Sequence, residues 1–182
     1  MIPQSIDPQD ARPHPAPRIT EIPDLIRAPV ITLIRQGSAD AAKSPPCHCV
    51  IAFADIQVDV DPDLTFEARW FVDYDPNVPS STLIQASRDI PANRDDPTRT
   101  TRTVDTYDFD ADSARIVQSG VHVVDVVIGE SDGFDKSNTA ARPNRTMKPG
   151  YFSTEYRFAV DVRLEQVPGQ CPNTLPSSPV CQ

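Results

Sequence analysis

The clearest pattern in the chain is a period of two over residues 64–74, LTFEARWFVDY, in which apolar residues alternate with mostly polar ones. Every second residue from Leu64 onward is apolar, and Trp70 belongs to this set. Because successive side chains point to opposite faces only in a β-strand, this period of two predicts a strand with one buried face that carries the tryptophan.

The same alternation recurs along the chain without any segment of helical period. It is clear in residues 156–165, less regular in residues 49–61, and accompanied by apolar residues on both faces in residues 120–129, which indicates a central strand. Weaker strand-like segments are residues 30–34, 81–87 and 100–109. The pattern as a whole predicts an all-β protein, an antiparallel β-sandwich.

One strand changes parity. Ile51 and Phe53 are odd-numbered, whereas Ile56 and Val58 are even-numbered. This predicts either a bulge near Ala54 or a first half that is covered on both faces.

The parity of the clearer strands also predicts the residues between the sheets. These core residues are Phe66, Trp70, Val72, Val124, Val126, Phe158, Val160 and Val162.

Proline content divides the chain. The 182 residues suit one domain, and nine of the 20 prolines precede Cys47. Since proline has no amide proton and a fixed φ, this density predicts an extended tether over residues 1–28. The sandwich then occupies residues 29–167, and residues 168–182 form a cysteine-containing tail.

Two segments resemble a known family. ARWFVDYDP (residues 68–76) and GVHVVDVVIGESDGFD (residues 120–135) are similar to bacterial immunoglobulin-like domains, most of all to the polycystic-kidney-disease-type repeat of surface proteins. The resemblance spans about residues 49–166 and implies an immunoglobulin-like sandwich of about seven strands with irregular N-terminal and C-terminal extensions. It also implies an exported setting, and it carries over no catalytic residue.

The charge and hydropathy of the chain limit the kinds of partner that we expect. The net charge of -9 disfavours nucleic acid and anionic membranes, which reward clustered Lys and Arg. No apolar run approaches the roughly 18 residues of a membrane helix. The first residues lack the features of a signal peptide, so either the protein is cytosolic or a secretion or lipoprotein signal, with any lipid anchor, precedes the given chain.

The four cysteines favour the second explanation. In the strand order that the resemblance implies, strand B begins and strand G ends at one pole, which brings Cys47 and Cys49 close to Cys171 and Cys181. We expect disulfides, with individual pairings open, and an extracytoplasmic location. The alternatives are free thiols or a zinc site that includes His48, although the gaps of one and nine residues do not suit zinc.

Other chemistry is weakly indicated. Acidic clusters such as residues 108–112 suggest calcium, but they lack the glycine and glutamate positions of an EF-hand loop and equally suit a solvated face. The histidines, including His122 on the strand of residues 120–129, lie in no catalytic motif. We expect no enzymatic activity, no metal and no cofactor, and we expect His122 to be a satisfied core or cross-strand residue.

The expected function is therefore a non-enzymatic structural or protein-binding module of the cell envelope or extracellular space. The loops at residues 88–99 and 130–150 are the expected contact sites because long loops on compact domains often carry function. Two alternatives are a carbohydrate- or calcium-dependent ligand-binding sandwich and a structural subunit of a cytosolic particle or sheath.

Peptide mapping tests the cysteine hypothesis. Digestion without reduction should release peptides in which Cys47 or Cys49 is linked to Cys171 or Cys181. Four alkylatable thiols, or bridges confined within each pair, would contradict it.

Overall fold

A computed structural model of the chain describes residues 15–34, 50–78, 83–96, 98–110, 114–135 and 144–163. The four cysteines lie outside these residues. The strands are β1 (Arg18–Glu21), β2 (Ile31–Ile34), β3 (Ile51–Phe53), β4 (Ile56–Asp59), β5 (Phe66–Val72), β6 (Ala86–Ile90), β7 (Thr101–Val104), β8 (Tyr107–Phe109), β9 (Gly120–Glu130) and β10 (Ser153–Arg163). Short 3₁₀ turns occur at Asp24–Ile26 and Ser131–Gly133.

The strands form two facing layers. One layer is a five-stranded sheet in the order β2-β10-β9-β5-β6, antiparallel throughout except that β2 runs parallel to β10. The other contains a three-stranded sheet, β1-β4-β7, and the pair β3-β8. The all-β, sandwich-like class predicted from the alternation is confirmed, and β9 is a central strand as its apolar faces indicated.

The parity change in residues 49–61 comes from a break between β3 and β4. Asp55 there has φ 54°, a left-handed conformation that reverses the facing of the chain. Phe53 and Ile56 are consequently both fully buried, so the parity change near Ala54 is real, but it comes from a break of two residues in each paired strand and not from the predicted bulge. The partner strand breaks at the matching place, because Phe53 pairs with Tyr107 and Ile56 with Val104.

Two other predicted boundaries differ from the structure. Residues 100–109, predicted as one strand, are β7 and β8. The weak strand predicted at residues 81–87 is β6, which runs to Ile90 because Ile90 is buried opposite Phe66. The charged loop predicted from residue 88 therefore begins after β6.

The core is a single aromatic-centred cluster between the layers. Trp70 is fully buried, with its ring centroid 5.1 Å from that of Tyr107 and 5.2 Å from that of Phe53. All eight residues predicted for the core are buried in this cluster: Phe66, Trp70, Val72, Val124, Val126, Phe158, Val160 and Val162.

The predicted tether boundary at residue 28 is wrong. Residues 18–21 form β1, which pairs antiparallel with β4, and Ile22 and Ile26 are buried in the main core. Proline does not prevent this, since Pro17 and Pro23 flank β1 outside its ladder, and β1 pairs with one neighbour only. Residues 15–28 thus belong to the sandwich.

Strand β5 is buried on both faces, which corrects the half-buried strand predicted from its alternation. Its outward residues Arg69 and Phe71 are 5% and 0% exposed. They lie under the described parts of the connection between β9 and β10, residues 131–135 and 144–151, here called the cover. Phe134 of the cover packs with Phe71 and Val127 in a second hydrophobic cluster.

The cover is tied to itself and fits closely on the sheet. The amide of Asp135 donates to the carbonyl of Thr146 at 2.8 Å, and the amide of Lys148 donates to the carbonyl of Gly133 at 2.7 Å. A Cβ atom at Gly129 would lie 2.8 Å from Met147 Cε, so a larger residue on β9 at this place would displace the Met147 side chain of the cover. The loop at residues 130–150 was expected to offer a contact surface. In its described parts it packs against the sheet as a layer of the fold.

Buried charges hold the cover down. Asp125 on β9 is 2% exposed, and its two carboxylate oxygens accept hydrogen bonds from Arg145 Nη1 at 2.9 Å and Arg157 Nε at 3.0 Å. Arg145, a cover residue, also pairs with Glu155 of β10. Since a buried carboxylate is costly without partners, the cover supplies a charge that the sheet requires.

Arg69 makes a second link between the sheet and the cover. Its guanidinium forms a two-point ion pair with Glu67, at 2.8 and 3.0 Å, and donates to the carbonyl of Asn144 at 2.7 Å. It also lies 3.9 Å from the ring centroid of Phe134. The strand therefore buries an arginine on its outer face because the cover provides both a hydrogen-bond acceptor and an aromatic surface.

Substitution of Asp125 tests this account. Asp125→Asn should lower the free energy of unfolding by about 3 kcal/mol, because Arg145 loses a buried counter-ion. Hydrogen exchange should quicken at the amides of Asp135 and Lys148, which close the cover.

Asp161→Asn is the matched control. Asp161 lies on the outer face of β10 and pairs with Arg163, whose side chain is 58% exposed, so its loss should change the free energy of unfolding by less than about 1 kcal/mol. Equal effects of the two substitutions, or unchanged exchange at the cover, would show that the Asp125 pairs do not hold it.

Candidate functional site

A groove of about 540 Å³ opens at the pole where β5 ends and β9 begins. Its apolar walls include Leu83 and Ile84, which precede β6, and Ile116 and Val117 of the segment before β9. Its ionisable residues are Asp73, Arg115 and His122. Its volume lies within the range of about 300 to 1,000 Å³ that is usual for ligand sites.

Asp73 forms one corner of the groove by ending β5. It has φ 48°, in the left-handed region that aspartate enters more readily than most residues. Its amide donates to the carbonyl of Val123 at 2.8 Å, and its Oδ1 accepts from the amide of Val123 at 2.9 Å. The side chain thus extends the pairing of β5 with β9 by one step while the chain turns away.

His122 joins this corner to the segment before β9. Its Nδ1 lies 2.6 Å from Asp73 Oδ2, and its Nε2 lies 3.1 Å from the carbonyl oxygen of Gln118. Each ring nitrogen of His122 therefore faces an oxygen atom of the protein. His122 is a satisfied cross-strand residue, as its position on β9 predicted.

The segment at residues 114–118 is a turn that forms the facing wall. Ala114 and Ile116 are buried, whereas Val117 is 81% exposed. Arg115 between the two buried residues has φ 56° and is exposed. The turn is therefore anchored in the core by two side chains and presents Arg115 and Val117 to solvent.

The rim of the groove is unusually apolar for exposed surface. Leu83 is 43% exposed on one side and Val117 is 81% exposed on the other. Val121, on the outer face of β9 nearby, is 65% exposed. Exposed apolar residues beside a groove are a feature of binding surfaces.

Two of the ionisable residues of the groove already have partners in the fold. Both nitrogens of His122 are engaged, and Asp73 is bound to His122 and Val123. No serine, threonine, cysteine or lysine is among the described residues that line the groove. Within the described ranges, no group of three or more His, Cys, Asp or Glu side chains is placed to hold a metal ion.

Two loop aspartates accept hydrogen bonds within turns. Asp61 Oδ1 accepts from the amide of Asp63 at 2.9 Å, and Asp75 Oδ1 accepts from the amide of Asn77 at 2.8 Å. These are the turns that the Asp-Pro sequences indicate.

The sequence pattern did not reveal this site. The predicted core residues lie between the sheets, and the cysteines that are predicted to form disulfides lie outside the described residues. The sequence does indicate a turn at Asp73, because this aspartate follows the last buried residue of β5. Nothing in the local sequence indicates the left-handed conformation of Arg115.

No family model, no curated protein and no solved structure matches this chain. Across the part of the chain that the structure describes, no helix has the length and hydrophobicity needed to cross a membrane.

The role of Asp73 as a corner residue is testable by three substitutions. Asp73→Ala should lower the free energy of unfolding by about 1 to 2 kcal/mol, because it removes two accepted hydrogen bonds at a half-exposed position. Asp73→Gly should cost less, since glycine accepts the left-handed conformation, and Asp73→Asn should cost least, since it still accepts from Val123. Denaturant unfolding gives the order, and an Asn variant as unstable as the Ala variant would contradict it.

Proposed function

We propose that this chain is an immunoglobulin-like sandwich that acts as a non-enzymatic, protein-binding module of the cell envelope or extracellular space. The arrangement of its strands supports the family. β10, β9 and β5 share one sheet in the manner of strands G, F and C, and β1, β4 and β7 share the other in the manner of A, B and E. Trp70 on β5 occupies the position between the sheets that the strand-C tryptophan has in such domains.

The observation that carries the binding function is the groove with its exposed apolar rim. Leu83 and Val117 lie on opposite sides of a concave site and expose apolar surface, whose burial against a partner would be favourable. The position at one pole agrees with sandwich domains, whose connecting segments bind partners while the sheets give support. The described parts of the long connection after β9 pack on the sheet instead, so the groove replaces that loop as our proposed contact site.

The extracytoplasmic setting rests on the cysteines. β2 and β10 end side by side, with Ile34 paired to Arg163. The chain leaves the described sandwich after Ile34 and after Arg163, which are neighbours in the sheet, and the two cysteine pairs lie outside the described residues. The setting is proposed because four cysteines that form disulfides are typical of exported proteins.

Photo-crosslinking in the native host tests the function. A photoreactive amino acid at Val117, on the groove rim, should crosslink to a defined protein. The same amino acid at Phe152, an exposed residue just before β10 that lies beside the end of β9 and so at the opposite pole, should not give that product.

The crosslinked protein is then purified and its affinity is measured. Leu83→Asp should weaken binding at least about tenfold, since a charge replaces apolar contact area. Its melting temperature should match that of the unsubstituted protein because Leu83 is 43% exposed. Identical products from both positions, or turnover of a defined substrate at the groove, would overturn the proposal.

A further inference from the structure

We infer that the groove binds an extended peptide segment of the partner, in which apolar side chains adjoin an acidic side chain that pairs with Arg115. This inference rests on the proposed protein-binding function and gives it a ligand chemistry. Three features carry it: the charge of the groove, its apolar walls and its glutamine amides.

The groove presents an arginine on a protein whose net charge is negative. The chain has a net charge of -9, and the ionisable residues that line the groove are Asp73, Arg115 and His122. Asp73 is already satisfied by the His122 ring and the Val123 amide. Arg115 forms no ion pair or hydrogen bond with the described residues, so the charge left for a ligand is positive.

An acidic side chain complements this arrangement better than a basic one. It gains a charge-assisted hydrogen bond to a guanidinium that offers five donors. A lysine or arginine in the same place would face Arg115 and find Asp73 already bound. A single unpaired arginine also suits one carboxylate of a peptide, whereas a phosphorylated ligand usually meets several cationic or backbone donors.

The remaining groups suit an extended chain. Leu83, Ile116 and Val117 form apolar walls on both sides of the groove. Gln85 and Gln118 also line it, and each side-chain amide has a carbonyl acceptor and an NH₂ donor, as a peptide backbone requires. The groove therefore combines side-chain pockets, backbone partners and one charge.

Selection from a displayed library of random peptides tests the inference. Enriched sequences should share an acidic residue next to apolar residues. For a synthetic peptide of the enriched sequence, fluorescence anisotropy should show that Arg115→Glu weakens binding at least about tenfold. The same peptide with its acidic residue changed to arginine should bind the Arg115→Glu variant better than it binds the unsubstituted protein.

The matched control is Arg94→Glu, which makes the same charge change at an exposed arginine. Arg94 lies beyond β6, whose end pairs with the beginning of β5 and so lies at the opposite pole. This substitution should leave the affinity unchanged. The reciprocal charge exchange separates a direct contact from a general effect of net charge.

Three results would overturn the inference. They are the absence of enriched peptides, enriched peptides whose affinity does not depend on Arg115, and occupation of the groove by a second copy of this chain. A folded partner that crosslinks from Val117 while no peptide is enriched would remove the peptide and leave the protein-binding function standing. Loss of the Val117-specific crosslink together with enriched peptides that ignore the groove would remove both.

Discussion

The buried carboxylate of Asp125 is the constraint on which the outer face of the large sheet depends. At 2% exposure, this charge on a central strand requires partners, and they come from two directions, Arg157 on β10 and Arg145 in the cover. Because Arg145 is 20 residues further along the chain, satisfying the charge also closes the connection between β9 and β10 over the sheet. That closure lets Phe71 and Val127 be apolar on a face that would otherwise meet water.

The cover and the groove share a structural link. Tyr74 and Ile84 pack against the cluster beneath the cover, and the guanidinium of Arg145 lies 4.7 Å from the ring centroid of Tyr74. Ile84 is also a wall residue of the groove. The end of β5 and the approach to β6 are therefore held from behind by the cover, which gives the groove one rigid wall. The facing wall is held differently, by burial of Ala114 and Ile116 and by the contact of His122 with Gln118.

The alternation of apolar and polar residues predicted the features that depend on residues close in sequence. It did not predict the contacts between residues that are distant in sequence. The core of Trp70 and Phe158 follows from parity, and the break at Asp55 left a visible change of parity on either side of it. By contrast, the alternation predicts that Arg69, between two core positions, faces solvent. It is buried because the carbonyl of Asn144, 75 residues away in sequence, accepts its hydrogen bond. The participation of β1 was hidden for a related reason. Proline density describes the local backbone and cannot show that an edge strand between prolines finds a partner in β4.

The charged residues beneath the cover and those at the groove differ in whether a charge remains available to a ligand. Beneath the cover, Asp125 meets Arg145 and Arg157, so its charge is consumed within the fold. At the groove, Asp73 meets His122, and Arg115 stands in the same concavity on a turn whose neighbours are buried. A left-handed conformation at a non-glycine residue costs free energy, and here it is maintained by the burial of Ala114 and Ile116 on either side. The packing that holds the turn thus fixes the backbone of Arg115 at the groove, so that a ligand has to order the Arg115 side chain but not the turn that carries it.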